Sequence, residues 1–327
     1  MIRPAIAADL WALRRRPQRR IFFYTEAMLA SSYRPFVVSL RSTLGPIGDD
    51  VVTLVLRKQG VRGFLQARKR PHTPELDISY LAGFAGRKTD IPDGDVWFML
   101  VENLLMRAGQ ARIERVFAAV GQRFEDMAEV LKQQGFQPYA QQQIWMLPEP
   151  AIEEGSALVA LRRQYRRDAW QIHQLYSRTT PRHVQQAELR QSSSWQLPRP
   201  RRRIGWRERG WVLGNDQTLN MHVHALTGPR GHVLRPMFEP ELRQQGAAVL
   251  RYALSQLSEQ RTVFAVIRGY QAELGSALEE LGFRLRGSQT LFVKQLAIPQ
   301  RQSMRVPALL RTEPTLESAT TLPPIPN

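Results

Sequence analysis

The sequence has no cysteine, only five lysines among its 46 basic residues, and no apolar run near the roughly 20 residues a membrane-spanning helix requires. The first absence excludes disulfides, thiolate metal sites and cysteine nucleophiles, and it fits a reducing cytoplasmic setting. The second makes the positive charge almost wholly arginine. The third removes a membrane from the expected partners. Acidic residues are also scarce, at 29, so the formal net charge is +17. Such a surface favours polyanions, either nucleic acid or a phosphorylated cofactor. In the opening stretch MIRPAIAADLWALRRRPQRR the basic residues follow the apolar ones, the reverse of a secretory signal. An Arg-rich transit peptide is set aside because the same pattern recurs in mid-chain.

What is present is a duplication. At 327 residues and 43% apolar content the chain is long enough for two cores. VFAAVGQRFEDMAEVLKQQGF (116–136) aligns without gaps to VFAVIRGYQAELGSALEELGF (263–283) at an offset of 147. IRPAIAADLW (2–11) aligns to LRRQYRRDAW (161–170) at an offset of 159, pairing Asp9 with Asp168 and Trp11 with Trp170. A repeat this long is a duplicated domain and not a solenoid unit.

Each copy opens with a strand and a helix. In the first, strands are predicted over 51–59, 63–70 and 76–84, then a helix over 95–111, a strand over 113–120, a helix over 124–135 and a strand over 136–147. In the second, the strands are 210–216, 219–226 and 231–238, followed by a helix over 241–257, a strand over 262–268, a helix over 270–282 and a strand over 283–295. Antiparallel strands followed by one strand–helix–strand crossover imply a mixed α/β sheet flanked by helices. LPEPAIEEGS (147–156) suits an exposed linker, and the Pro-rich end after Leu296 reads as disordered.

The order of elements resembles the GNAT superfamily of acetyl-CoA-dependent N-acetyltransferases, over both copies. The family's specific element is a Gln/Arg-x-x-Gly-x-Gly/Ala motif that starts the helix after the fourth strand. Arg243-Gln244-Gln245-Gly246-Ala247-Ala248 matches it, with Pro240-Glu241 before it. Exposed amides at a helix start carry a partial positive charge and accept a diphosphate. The resemblance therefore implies an acetyl-CoA site in the second copy. The bland reading of the same residues is close helix–sheet packing.

The first copy has TDIPDGDVWFMLVENLL at the equivalent place, with Asp90, Asp93 and Asp95 near the helix start and Trp97 inside it. Acidic residues there cap the helix and repel a diphosphate. The expected organisation is thus two tandem GNAT-like domains: 1–148 without a cofactor motif, a linker at 149–156, 157–297 with the acetyl-CoA motif, and a tail at 298–327.

The family's usual proton carriers are missing. The Tyr expected four residues before Gly-Phe is Leu278, or Leu131 in the first copy, and the Glu of the fourth strand is Arg235. Tyr270 as acid and Glu239 as base are the candidate substitutes, the alternatives being a ring that covers the helix edge and an ordinary capping charge, with Tyr252 read as packing. His222, His224 and His232 lack a carboxylate at ligand spacing, so no metal is expected, and His173 and His183 read the same way. The stretch 198–211 sets six Arg around two Trp, a pattern that binds single-stranded nucleic acid or lies solvated. RRRPQRR (14–20) reads as a solvated helix end. The leading function is acetyl transfer from acetyl-CoA to an amine of a small molecule or protein. Its rivals are a non-catalytic acyl-CoA sensor or scaffold, and an Arg-rich nucleic-acid-binding protein.

Overall fold

The first half folds as its apolar patterning dictates. A computed structural model describes residues 1–14, 17–44, 51–58, 60–71, 73–84, 93–150, 161–198, 206–215, 217–257 and 260–297. The proposed tail and most of the proposed linker lie outside these residues. The elements of the first half are β1 (Ile2–Pro4), α1 (Ala7–Leu13), β2 (Arg19–Phe22), α2 (Glu26–Ala30), α3 (Pro35–Leu44), β3 (Val51–Arg57), β4 (Val61–Lys69), β5 (Glu75–Gly83), α4 (Asp93–Gln110), β6 (Arg115–Gly121), α5 (Glu125–Gln133) and β7 (Gln137–Leu147). The second half repeats the plan with β8 (Arg162–Arg163), α6 (Ala169–Thr179), α7 (Arg182–Glu188), β9 (Arg207–Gly214), β10 (Leu219–Thr227), β11 (Gly231–Phe238), α8 (Gly246–Ser255), β12 (Thr262–Arg268), α9 (Leu274–Glu280) and β13 (Arg284–Gln295). Both halves are mixed, mainly antiparallel sheets flanked by helices, as the sequence predicts.

The repeat is visible at atomic detail. Arg3 grips Asp9 with two nitrogens at 2.7 and 3.1 Å, and Arg162 grips Asp168 at 2.8 and 3.1 Å. Asp9 also accepts the Ile6 N–H, and Asp168 accepts the Tyr165 N–H. One buried carboxylate thus ties the first strand to the first helix in each half. Trp11 and Trp170 are both exposed.

The halves share one continuous sheet, in the order β1-β3-β4-β5-β6-β13-β7-β12-β11-β10-β9-β8. The closing strands have changed places. β13, from the second half, lies beside β6 of the first, and β7, from the first half, lies beside β12 of the second. The exchange carries side chains with it. Phe292 of β13 is buried in the core under α4 and α5, and Trp145 of β7 is buried in the core under α8 and α9. Burying one such ring contributes about 1.5–3 kcal/mol, so each half is stabilised by the other's last strand.

Three elements depart from the sequence reading. Arg19 and Arg20 begin β2 and do not end a solvated helix, because Ile21 is drawn into the core. α2 and α3 carry no strong periodicity and were not expected. The helix predicted to start at 241 begins as a 3-10 turn over Pro240–Gln245 and becomes α-helical at Gly246. Proline fixes φ for a first turn, and the tighter i→i+3 bonds are common at a helix start.

Candidate functional site

The motif sits at the start of α8. Gln244 and Gln245 are exposed, Gly246 and Ala247 are buried, and Ala248 is half-buried. A Cβ at Gly246 would stand 3.1 Å from Leu274 Cδ2 and 3.4 Å from Ala277 Cβ, both on α9. A Cβ there would crowd α9, so the glycine eases the close packing of α8 on it. Arg243 pairs with Glu273, while its Nε is buried without a partner. A cation with an unused N–H thus stands beside the helix start, as an anion site requires.

Next to it the sheet opens. β11 and β12 are paired in parallel only from Gly231/Thr262 to Leu234/Ala265, and both strands continue beyond. The register with β10 fixes what the open edge presents. The Glu239 N–H donates to Asn220 O, and antiparallel partners alternate. The amides of Arg235 and Met237 consequently face β10, and that of Phe238 faces the gap. Pro236, which has no N–H, falls on the gap side, where the β10 ladder loses nothing.

The first half opens in the same way and is then filled. β5 and β6 pair only from Glu75/Arg115 to Asp77/Phe117. Beyond that point β2 pairs with β5, from Phe22↔Tyr80 to Arg19↔Gly83. The chain's own backbone takes the edge that, in the second half, has no strand partner among the described residues. Trp97 of α4 is fully buried with Arg19 over its ring. Asp95 is exposed, Asp90 lies outside the described residues, and the side chain of Asp93 is not among those described.

Tyr270 lies in a 3-10 turn just after β12, with its hydroxyl 3.4 Å from Thr180 Oγ1. Burial raises its pKa, so the phenol stays protonated at neutral pH. Glu239 follows β11 and accepts from Arg178 Nε at 3.0 Å. Tyr252 is partly buried against the second core.

His222 donates from Nε2 to Gln164 Oε1 at 3.0 Å, and its pKa is well below the usual imidazole value because it is buried. His224 accepts from Arg235 at Nδ1 (3.1 Å), so Nε2 is its donor to Glu208 at 3.0 Å. His232 Nδ1 lies 2.9 Å from Thr227 Oγ1, and the His173 Nδ1 accepts from Trp195. Among the described residues no three His, Asp or Glu are grouped to hold a metal.

In the basic stretch, 199–205 lie outside the described residues. Trp211 is buried in the second core and Trp206 packs beside Ala30, so both rings are in protein contacts. No helix among the described residues is long and apolar enough to cross a membrane.

Sequence reasoning missed the other side of the gap. Glu188, at the end of α7, accepts from Arg268 Nη2 at 2.7 Å, from Arg190 Nε at 2.8 Å and from the Tyr176 hydroxyl at 3.0 Å. Burial would raise its pKa, but Arg190 and Arg268 win and hold it at about 2. Glu26 of α2 reaches across from the first half to Arg235 at 3.0 Å. These residues are scattered from 26 to 268 and share no spacing, so no sequence pattern brings them together.

No family profile matches the sequence, and no curated protein does. Solved structures do. A tandem GNAT protein from the clavulanic acid biosynthesis pathway is similar over 90% of this chain and 98% of its own, at 16% identity and a TM-score of 0.50. A GCN5-related N-acetyltransferase from Sphaerobacter thermophilus covers 90% and 95%, at 13% identity and 0.48. Another from Anabaena variabilis covers 90% and 73%, at 16% and 0.43. The chain has the tandem GNAT fold.

Proposed function

We propose that this protein transfers an acetyl group from acetyl-CoA to an amine, with the acetyl-CoA site in the second half (157–297) and a first half (1–148) that holds no cofactor. The carrying observation is the contrast between the two sheet openings. One is filled by β2, and the other has no strand partner among the described residues, beside the Arg243–Ala248 helix start.

The residues present fit the ligand. Arg243, with its orphaned Nε, and the backbone at Gln244, Gln245, Ala247 and Ala248 would hold the diphosphate, the Gly246 N–H being already donated to Arg243 O. The edge of β11 suits the amide-bearing pantetheine arm, because an extended chain of amides adds to an open strand edge. Acetyl-CoA supplies an activated thioester. The Phe238 N–H faces the gap as a donor for the carbonyl oxygen, where negative charge develops. The amine nitrogen bonds to the carbonyl carbon and the C–S bond breaks. Tyr270 gives its proton to the leaving sulfur, and the proton lost by nitrogen passes to Glu239 or to water. Tyr270 is the better placed of the two, since Arg178 already holds Glu239.

Thermal unfolding with and without acetyl-CoA tests this reading. At roughly a hundred times Kd the ligand adds about 2.7 kcal/mol of stability. Absence of any shift overturns it. A shift without CoA release over an amine panel favours the sensor reading, which the Leu at position 278 and the Arg at position 235 support.

A further inference from the structure

The buried charge cluster across the gap has the composition of a binding site. Arg268 ends β12, and Arg235 is the first β11 residue beyond the paired segment, so both stand where the strands part. Glu188 has a 5% exposed side chain and takes three donors, from Arg190, Arg268 and Tyr176. Arg268 Nη1 is buried and has no partner. An unmet buried N–H on a charged group costs on the order of 1–3 kcal/mol or more, which a bound acceptor removes.

The backbone is bent to build this cluster. Leu189, between Glu188 and Arg190, is left-handed at φ 43° and ψ 43°, with its own side chain 56% exposed. A helix end of this kind ordinarily uses Gly or Asn, and another L-residue there costs about 1–2 kcal/mol. The bend lets residues 188 and 190 reach the same point, where Arg190 Nε meets Glu188 Oε2. Strain of this sort is held where it serves a site.

The charges do not balance. At Glu188 one carboxylate holds two guanidiniums, those of Arg190 and Arg268, a local excess of one positive charge, while Arg235 is paired with Glu26 and also acts on Glu208. Neutral His224 adds none, and Glu208 lies beyond it on β9. One surplus charge and one unused guanidinium N–H match a monoanion with oxygen acceptors, which is a carboxylate. A phosphate dianion would exceed the available charge. Tyr139 of β7 and Tyr270 lie near the cluster.

We propose that Arg268, with Arg190 beside it, binds a carboxylate on the acceptor, so that the substrate amine belongs to an amino acid. This rests on the transferase reading and names its acceptor class. In an α-amino acid a single carbon separates the two groups. A carboxylate fixed at the end of β12 therefore keeps the amine next to that strand end. Glu26 and Tyr139 come from the first half, which explains why a half without its own cofactor is part of the chain.

Calorimetric titration of the full chain, with and without CoA, tests the proposal using the proteinogenic amino acids and their carboxamides as matched probes. At least one free acid is expected to bind about tenfold or more tightly than its amide. Arg268→Gln is expected to erase that difference. Arg268→Lys, which keeps the charge but not the planar fork, is expected to keep part of it and carries the same reading should the first variant not fold. Equal binding of acids and amides, no binding of any acid, or full discrimination surviving in these variants overturns the proposal. Acid binding without any acetyl-CoA shift leaves the carboxylate site standing and removes the transferase. Acetyl transfer to acids and amides alike does the reverse.

Discussion

Gln142 and Gln289 are equivalent residues of the two halves, 147 positions apart, and they hydrogen-bond to each other at 2.7 Å. They lie opposite one another where β7 and β13 cross. The pairings around them repeat with the same offset: Val116 faces Lys294, and Val263 faces Leu147. A pseudo-twofold axis thus passes through this glutamine pair. The duplicated chain closes on itself as an isologous dimer of two polypeptides would.

From the exchange it follows that neither half is complete alone. Residues 1–150 and 157–297, produced separately, are expected to self-associate or remain unfolded, because each lacks a central strand and exposes an edge. Mixing them should restore a species of full-chain size. Size-exclusion chromatography with circular dichroism checks this, and stable monomeric halves would show that the exchange is dispensable.

Gln245→Glu separates ligand binding from folding. The side chain is exposed at the start of α8, where a negative charge is neutral or mildly stabilising without ligand. It repels a diphosphate. The variant should melt within about 0.5 kcal/mol of the native protein when free and lose most of the acetyl-CoA shift.

Gly228→Ala probes the contact that delivers Glu26. The new Cβ would stand 2.5 Å from Ala30 O and 2.8 Å from Ala30 Cβ, and the Arg230 N–H already donates to that oxygen. α2 must move away from β11. The expected cost is about 1–3 kcal/mol, and any activity should fall with it. Denaturant unfolding and CoA-release assays measure both.

Acid should unfold the protein in two ranges. His222 and His224 have lowered pKa values, so the unfolded chain binds protons there first as pH falls below 6.5. Stability present above pH 6.5 is then lost at up to about 1.4 kcal/mol per pH unit for each histidine that stays neutral. Glu188 sits at about 2 against 4.5, so its stabilisation holds above pH 4.5 and disappears as pH falls toward 2, on the order of 3 kcal/mol in all. Melting temperature against pH should show both limbs, with the lower one reduced in Glu188→Gln, since Glu26, Asp168 and Glu208 also have lowered pKa values, and the upper one reduced in His222→Gln. A flat profile down to pH 4.5 would contradict the buried neutral histidines.

The sequence by itself determined the order of elements, the duplication and the small-residue helix start at Gly246. Each rests on local rules: period-2 and period-3.6 apolar spacing, a carboxylate three residues into a helix entry at Asp9 and Asp168, and a run of small residues at a helix start. It did not reveal β2, whose four residues have no periodicity to read and gain their place only by pairing with β5. Nor did it reveal which half receives β7 and which receives β13. Alternation along a strand tells which side chains are buried, and the two closing strands offer near-equivalent faces to either slot. The choice is made by partners more than a hundred residues away. For the same reason the cluster of Glu26, Glu188, Arg190, Arg235 and Arg268 exists only once the sheet has closed, since burial and charge pairing depend on distance in space and leave no period along the chain.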